Sequence, residues 1–220
     1  MINTHDLTSL IKSKIVYKAF HRNNSMEHYF SERQKTGHER LKIQENIRGT
    51  KFNFLTDKGV FSRKGIDNGT KLLTESIELN EEDTVLDIGC GYGVIGIVLS
   101  RNAKKVYMVE INRRAVHLAR KNAKLNECCN TDIKKGDFFE TKLKNFDLVV
   151  TNPPLRMGKE YVFKIIERVL EILNEKGRFY TVVRTKQGAK SYRKKIKRVF
   201  GNCETVNKGS GYRVFKGVKC

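Results

Sequence analysis

The pattern of apolar and polar residues after residue 83 alternates between short buried strands and amphipathic helices. Short runs rich in Val, Ile and Leu are typical of buried strands. The predicted strands, of which the third is the weakest, are 84–87, 105–109, 132–135, 146–150 and 179–183. The predicted helices between them run from Val94 to Ser100, from Asn112 to about Leu125 and from about Lys159 to Asn174. We expect Gly177 to end the last of these. Strands that alternate with helices predict a parallel sheet with helices on both faces.

Apolar side chains in the longer helices fall on one face, which identifies the residues expected to pack against the sheet. Positions i, i+3, i+4 and i+7 share a helix face. The expected core-facing residues are Ala115, Val116, Ala119, Ala123, Val162, Ile165, Ile166, Val169, Leu170 and Leu173. A further helix from about Gln187 to Phe200 has an apolar side made of Tyr192, Ile196, Val199 and Phe200.

Two hairpins are predicted at the ends of this series. Residues 41–47 and 51–56 alternate in part and flank an Arg-Gly-Thr turn, which is the pattern of a β-hairpin. Residues 204–207 and 212–216 are joined by a Gly-Ser-Gly link, which suits an antiparallel pair at the edge of the sheet. We therefore expect an α/β fold with a mostly parallel, doubly wound seven-stranded sheet, one antiparallel strand and an N-terminal hairpin.

The domain organisation follows from length and from changes in composition. A chain of 220 residues fits one domain of ordinary size. Residues 1–25 are basic and weakly patterned, so we assign them to an N-terminal extension, and residues 26–220 to a single domain. Within it, residues 26–69 hold the hairpin and a loop rich in glycine and aspartate, and long loops of this kind are often functional. Residues 70–220 form the core, beginning with a short helix over 70–77.

Charge is the feature of the composition that most restricts the choice of partner. The chain has 44 Lys and Arg against 24 Asp and Glu, a net charge of +20. Residues 174–220 contain fourteen basic and two acidic residues, so twelve of those net charges lie there. A basic surface favours a polyanion, because each phosphate that it neutralises releases counterions.

The sequence shows no signal for secretion, a membrane span or a metal site. No apolar run reaches the roughly 18 residues that a membrane helix needs, and the first residues lack the apolar stretch of a signal peptide. The cysteines are odd in number, form no Cys-x-x-Cys pair and have no histidine at zinc spacing. We expect a cytoplasmic protein that has free thiols and binds no metal. We also expect it to be a monomer.

The only two prolines of the chain, Pro153 and Pro154, follow Asn152 directly after the predicted strand 146–150. Proline lacks an N–H and has a fixed φ, so the pair ends the strand in a stiff corner. Ligands of open α/β sheets bind at the carboxyl ends of the strands. The side-chain oxygen of Asn152 and the carbonyls of Asn152 and Pro153 are candidate hydrogen-bond acceptors there.

A glycine-rich turn, Asp87-Ile-Gly-Cys-Gly-Tyr-Gly93, follows the strand 84–87. Glycine lets a backbone turn sharply and approach a ligand closely. Residues 91–96 also spell the dinucleotide fingerprint Gly-x-Gly-x-x-Gly, with Glu110 near the expected spacing. Three features favour S-adenosylmethionine over NAD. Asp87 precedes the glycines and can hold an ammonium group, Gly136-Asp-Phe138 follows the third strand, and Asn-Pro-Pro follows the fourth.

The sequence resembles class I S-adenosylmethionine-dependent methyltransferases of the small-subunit type, which include ribosomal RNA guanine-N2 methyltransferases. The resemblance covers about residues 28–217. Its motifs are His28-Tyr-Phe-Ser31, Thr56-Asp-x-Gly-Val-Phe-Ser62, Asp67-x-Gly-Thr70, Asp87-Ile-Gly-Cys-Gly-Tyr-Gly93 and Thr151-Asn-Pro-Pro154. It implies that Gly59, Phe61, Asp67, Gly69 and Thr70 help to close the cofactor pocket.

The resemblance and the motifs together define a candidate site. The expected cofactor-binding residues, besides those of the pocket-closing loop, are Asp87, Gly89, Cys90, Gly91, Gly93, Glu110, Ile111, Asp137, Phe138 and Asn152. The expected catalytic residues are Asn152, Pro153, Pro154 and Leu155. Leu155 departs from the family, in which many relatives carry an aromatic residue that stacks on the base. Phe30, Phe61 or a neighbouring loop would then supply the stack, or the base is held by apolar contact. RNA is the expected partner, through a basic surface that includes Arg156, Lys159, Arg193, Lys194 and Lys197.

The expected function is methylation of an exocyclic amine of a base in RNA, with guanine N2 of rRNA or tRNA first. Adenine N6 is an alternative target. A protein glutamine-N5 methyltransferase would also use Asn-Pro-Pro, but those relatives usually carry Tyr after the prolines and a helical N-terminal domain. A non-enzymatic RNA-binding protein with the same fold is the remaining alternative.

Overall fold

A computed structural model describes residues 41–57, 65–154 and 157–220. The predictions made for residues 1–25, for the motif His28–Ser31, and for Gly59, Phe61, Leu155 and Arg156 lie outside the described residues.

In the described part of the chain, seven strands form one sheet and two further strands form a separate hairpin. The hairpin consists of β1 (Leu41–Ile47) and β2 (Thr50–Thr56). The sheet consists of β3 (Thr84–Ile88), β4 (Lys105–Glu110), β5 (Thr131–Lys135), β6 (Phe146–Thr151), β7 (Leu173–Arg184), β8 (Glu204–Gly209) and β9 (Tyr212–Val218). Its strand order is β5-β4-β3-β6-β7-β9-β8, and only β9 runs against the others. The predicted fold class is confirmed.

The order of the strands creates a crevice between β3 and β6. The chain adds β4 and β5 on one side of β3, and then returns to place β6 and β7 on the other side. Asp87 in β3 is paired with Val150 in β6, so the two strands reach the same edge of the sheet in register. At such a switch point the connections diverge to opposite faces, which leaves a cleft at the carboxyl ends of the strands.

Within the described residues, five α-helices cover the two faces of the sheet. They are α1 (Asn68–Ser76), α2 (Val94–Leu99), α3 (Arg113–Leu125), α4 (Lys159–Ile172) and α5 (Ala189–Phe200). Successive strand residues point to opposite faces. Val85 packs with α1, α2, α3 and the hairpin, whereas Leu86 packs with α4 and α5. The predicted core-facing residues are confirmed as buried, except Leu170 and Val199, which are half-buried. None of the described helices is long and apolar enough to cross a membrane.

The prediction that Gly177 ends a helix reaching Asn174 is wrong. The helix α4 ends at Ile172, and Leu173 has extended dihedral angles (φ −74°, ψ 143°) that begin β7. The side chain of Leu173 is buried in the core in this conformation. Pairing with β6 passes from Leu173 to Arg178, so the residues between them bulge out of the ladder. A Cβ on Gly177 would lie 2.7 Å from the Asn174 carbonyl oxygen, which explains the glycine at this bulge.

The hairpin is attached to α3 by two buried asparagines. The amide of Asn122 accepts from the N–H of Leu55 at 2.7 Å and donates to its carbonyl at 2.9 Å. Asn126 makes the same pair of hydrogen bonds with Asn53, at 3.0 Å and 2.7 Å. A side-chain amide carries the same donor and acceptor as a peptide group. These asparagines therefore satisfy the free edge of β2 as a neighbouring strand would.

Candidate active site

A cleft of about 820 Å³ lies at the carboxyl ends of the parallel strands. It collects residues that follow β3, β4, β5 and β6, together with the first turn of α1. The predicted site residues that line it are Asp67, Thr70, Gly89, Cys90, Gly91, Glu110, Ile111, Asp137, Phe138, Asn152, Pro153 and Pro154. The structure therefore brings together most of the residues that the motifs selected.

Asp87 lies beneath the cleft rather than on its wall. The residue is only 1% exposed, and its Oδ2 accepts a hydrogen bond from the Gly96 N–H at 3.0 Å. Its Oδ1 is buried and has no hydrogen-bond partner among the described residues. Burial raises the pKa of this carboxyl to about 7, and the nearby Glu110 adds to the increase. An unsatisfied buried acceptor is costly, so this oxygen fits a cationic donor such as the ammonium group of S-adenosylmethionine.

The turn after β3 depends on glycine at three positions. Gly89, Gly91 and Gly93 have φ values of 67°, 58° and 95°, in the left-handed region that favours glycine. Between them, Cys90 is buried on the cleft wall, and burial raises the pKa of its thiol well above the ordinary value. Cys90 is therefore a packing residue here rather than a nucleophile. Gly93 does not line the cleft; it caps α2 and packs against Ala119.

Glu110 is fixed at the end of β4 by two backbone donors. Its Oε1 accepts from the Asn112 N–H at 2.8 Å, and its Oε2 accepts from the Gly91 N–H at 3.0 Å. Burial raises the pKa of this carboxyl, while hydrogen bonds from the backbone N–H groups of Asn112, Gly91 and Ile111 act in the opposite direction. Each carboxylate oxygen can accept more than one hydrogen bond. The pair of oxygens therefore fits the two hydroxyls of a ribose.

Asp137 and Phe138 follow β5 on the same edge of the sheet. The side chain of Asp137 accepts from the Phe139 N–H at 2.9 Å and so caps the short turn Phe138–Glu140. Phe138 is buried against the cleft wall. The apolar ring of Phe138 fits the face of an adenine, and the carboxylate of Asp137 fits its amino edge. The residues present at the ends of these strands are thus chemically compatible with S-adenosylmethionine.

Asn152 follows β6 and is held by α1. Its Nδ2 donates to Thr70 Oγ1 at 2.9 Å and lies 3.5 Å from Asp67 Oδ2. Its side-chain oxygen accepts no hydrogen bond from the described residues. The strand before it is tied to β3, because the Thr151 hydroxyl donates to the Ile88 carbonyl at 2.9 Å. The structure therefore presents a free acceptor beside the cofactor cleft.

Gly69 lies behind the cleft wall, against the last hairpin. A Cβ on Gly69 would lie 2.6 Å from Cε1 of Tyr212, so only glycine lets the first turn of α1 approach that ring. Tyr212 in turn lines the cleft and accepts a hydrogen bond from Arg184 Nε at 3.0 Å. The Arg184 guanidinium lies 5.2 Å from the ring centroid, within reach of a cation–π contact.

Sequence reasoning missed several residues of the cleft. Tyr161, Arg184, Gln187, Tyr192 and Tyr212 all line it. Arg184 ends β7, so the rule that ligands bind at the carboxyl ends of strands gave a signal for it. Tyr212 begins the antiparallel strand and gave none, because nothing in its local pattern shows that β9 is inserted next to β7.

The predicted RNA contacts lie beside the cleft and on α5. Lys159 is exposed and lines the mouth of the cleft. Arg193, Lys194 and Lys197 are exposed on the outer face of α5. Tyr192, from the buried side of the same helix, lines the cleft, whereas these three basic residues do not.

The sheet order, the single antiparallel strand and the glycine turn that follows a buried carboxylate define a class I S-adenosylmethionine-dependent methyltransferase. Comparison with known proteins leads to the same class. The chain belongs to the methyltransferase small domain family, whose model matches residues 51–216.

Relatives range from an equally short protein to much longer enzymes. Protein YbxB of Bacillus subtilis is 37% identical over 198 residues, which cover 88% of this chain and 98% of YbxB. Ribosomal RNA small subunit methyltransferase C of Hamiltonella defensa is 27% identical over 163 residues, which cover 72% of this chain and 48% of that enzyme. The chain thus spans about half the length of that rRNA methyltransferase.

A solved structure shows the same fold with ligands. The Thermus thermophilus 16S rRNA N2 G1207 methyltransferase, in complex with AdoMet and guanosine, superposes with a TM-score of 0.74 at 25% identity. The match covers 82% of this chain and 51% of that one.

Proposed function

We propose that this protein transfers a methyl group from S-adenosylmethionine to an exocyclic amine of a base in RNA, with guanine N2 of rRNA as the first target. The observation that carries the proposal is the free oxygen of Asn152, fixed beside the cofactor cleft. The name of the rRNA methyltransferase of Hamiltonella defensa supports rRNA as the substrate. The N2 G1207 activity and the guanosine named for the Thermus thermophilus complex support guanine as the base.

The cofactor is assigned to the ends of β3, β4 and β5. Asp87 would hold its ammonium group, Glu110 its ribose hydroxyls, and Asp137 and Phe138 its adenine. The backbone of Gly89, Cys90 and Gly91 would lie along it, with Gly93 holding α2 close behind and Ile111 contributing apolar contact. Gly59, Phe61, Asp67, Gly69 and Thr70 would close the pocket. When bound, the cofactor supplies an electrophilic methyl group on a sulfonium.

Asn152 and Pro153 would make the amine reactive by position. The lone pair of an exocyclic amine is delocalised into the base, which makes the nitrogen a poor nucleophile. The Asn152 side-chain oxygen and the Pro153 carbonyl would each accept one N–H, which directs the lone pair out of the ring plane for in-line transfer. Asparagine does not titrate, so the proton would leave to water after transfer. Pro154 and Leu155 would keep the corner stiff and contact the base, and Tyr161 or Tyr212 offers an aromatic face in the same cleft.

The exposed basic residues would hold the RNA. Lys159 at the mouth of the cleft, with Arg156 beside it in sequence, would contact phosphates next to the target base. Arg193, Lys194 and Lys197 would contact phosphates farther along the strand, with a strongly salt-dependent affinity. An RNA substrate would also place the protein in the cytoplasm. We propose residues 26–220 as the catalytic domain and residues 1–25 as a basic extension.

The test is transfer of labelled methyl groups to total bacterial RNA, followed by nucleoside mass spectrometry. We expect label in N2-methylguanosine, and transfer about 10²- to 10³-fold slower with Asn152→Ala as the matched control. Label in N6-methyladenosine would change the target base. Label in a protein glutamine would replace the RNA proposal, and salt-dependent RNA binding without any transfer would replace the enzymatic one.

A further inference from the structure

The side chains of Asp67, Thr70 and Asn152 form a continuous chain of hydrogen bonds across the cleft wall. Asp67 caps α1, because its Oδ1 accepts from the N–H groups of Gly69 at 2.9 Å and Thr70 at 3.2 Å. Its other oxygen accepts the hydroxyl of Thr70. Thr70 Oγ1 in turn accepts from Asn152 Nδ2 at 2.9 Å. A residue that follows β6 is thereby tied to one that lies 82 positions earlier in the chain.

This chain of hydrogen bonds has only one self-consistent direction. A hydroxyl has a single proton, and Thr70 gives its proton to Asp67. Thr70 can therefore only accept from Asn152, and the second oxygen of Asp67, 3.5 Å away, also only accepts. If the amide of Asn152 were rotated by 180°, its oxygen would face two acceptors. The amide nitrogen must therefore point to α1, and the oxygen must point away from it.

The surroundings keep this arrangement rigid. Thr70 is 7% exposed, so water competes weakly for its hydroxyl. The first turn of α1 cannot shift towards β9, because Gly69 packs closely against the ring of Tyr212. Hydrogen bonds that end on a carboxylate are strong and polarise the groups along the chain. Donation from Nδ2 towards Asp67 makes the Asn152 oxygen a better acceptor.

We propose that Asp67 and Thr70 are positioning residues for methyl transfer: they orient the Asn152 amide so that its oxygen faces the substrate amine. This role rests on the proposed function and is additional to closing the cofactor pocket, for which the shape of the Thr70 side chain rather than its hydroxyl would be needed. It predicts that loss of the Thr70 hydroxyl harms turnover rather than cofactor affinity.

The test compares Thr70→Val, which keeps the shape and loses the hydroxyl, with Thr70→Ser, which keeps the hydroxyl. The readouts are the Asn152 side-chain amide in ¹H–¹⁵N NMR spectra, assigned by its disappearance in Asn152→Ala, the cofactor Kd by calorimetry, and kcat for labelled-methyl transfer to total RNA. We expect Thr70→Val to shift or broaden the amide signal and to lower kcat about 10- to 100-fold, with the cofactor Kd within about threefold of wild type. Thr70→Ser should restore both signal and turnover.

A double mutant separates positioning from a general structural role. A residue that acts through Asn152 has no further effect once Asn152 is absent. Thr70→Val in the Asn152→Ala background should lower kcat by less than about threefold more, whereas additive losses would overturn the proposal.

Two other outcomes are decisive. An unchanged Asn152 amide signal in Thr70→Val, with weaker cofactor binding, would assign Thr70 to the cofactor pocket and overturn the positioning role. If the wild-type protein methylates no RNA, the proposed function fails, and the NMR comparison of the valine and serine variants still decides whether Thr70 orients Asn152.

Discussion

The ends of β3 and β6 are neighbours in the sheet, yet they are built in opposite ways. The end of β3 is local in sequence: Asp87, the three glycines and the start of α2 lie within ten residues of one another. It relies on backbone geometry and on a buried acid with an unsatisfied oxygen. The end of β6 offers a neutral amide whose orientation comes from Asp67 and Thr70, more than eighty positions away.

This difference separates two kinds of pre-organisation. At β3 a ligand is expected to relieve an electrostatic penalty that the free protein bears, so binding and protonation are linked. At β6 the hydrogen bonds of the amide nitrogen are already satisfied, so the site is ready before any substrate arrives. Substitutions at the end of β3 should therefore change the affinity for the cofactor, and substitutions at the end of β6 should change the rate of turnover.

The largest expected effect is on turnover at the end of β6. Asn152→Ala removes the fixed acceptor, and loss of one pre-organised group of this kind typically costs about 10²–10³ in rate. We expect kcat for RNA methylation to fall by that factor while the cofactor Kd stays within about threefold. Labelled-methyl transfer and calorimetry measure the two quantities. Equal losses of cofactor binding and turnover would contradict the division between the two strands.

The next effect is on cofactor affinity at the end of β3. Asp87→Asn keeps the shape and removes the charge opposite the ammonium group, so we expect the cofactor Kd to rise about 10- to 100-fold. The same change removes the free-energy cost of burying a carboxylate, so the free protein should become more stable to heat. Asp132→Asn, on β5 outside the cleft, serves as the control and should alter neither quantity. A Kd that Asp87→Asn leaves unchanged would remove Asp87 from the cofactor site.

The raised pKa of Asp87 predicts opposite pH trends for binding and stability. Cofactor binding needs the carboxylate, so affinity should rise as pH increases from about 5.5 to 7.5, by up to about tenfold per pH unit. The free folded protein holds a proton that the unfolded chain releases near 3.8, so the contribution of Asp87 to stability is full below pH 3.8 and is lost as pH rises through about 7. Calorimetry and thermal unfolding across this range measure both trends, and Asp87→Asn should flatten them.

The smallest effect belongs to the basic face of α5, which lies apart from both strand ends. Lys194→Ala should weaken binding of total RNA about two- to fivefold at physiological salt and reduce the salt slope by about one. Cofactor Kd should not change. Lys142→Ala, in the loop before β6, is the matched control for loss of a charge elsewhere. Equal losses from the two variants would indicate that net charge, rather than the α5 surface, binds RNA.

Features built from residues that are close together in the sequence were predicted well. The glycine turn, the paired prolines and the apolar faces of α3 and α4 each depend on residues close together in the chain, so local pattern was sufficient. The end of α4 was not predictable in this way. Leu173 has an apolar side chain at helical spacing, and only its burial beside β6 shows that it belongs to β7.

Contacts between distant segments account for the remaining failures. Asn122 and Asn126 look like ordinary polar residues of α3, and their pairing with β2 depends on where the hairpin lies. The Asp67-x-Gly-Thr70 motif was recognised by resemblance, but its bond to Asn152 requires the three-dimensional arrangement. Side chains that act across 67 to 85 positions leave no periodic signal.

The contact between Gly69 and Tyr212 also constrains when the active site can form during synthesis. The first turn of α1 leaves the ribosome early, but the ring that supports it lies on β9, which pairs with β7 only after the last hairpin has been made. A nascent chain that ends before residue 212 has the complete Asp87 turn and lacks the support for Asp67 and Thr70. During translation, Asp67 and Thr70 are therefore expected to gain this packing contact only after the antiparallel strand is in place.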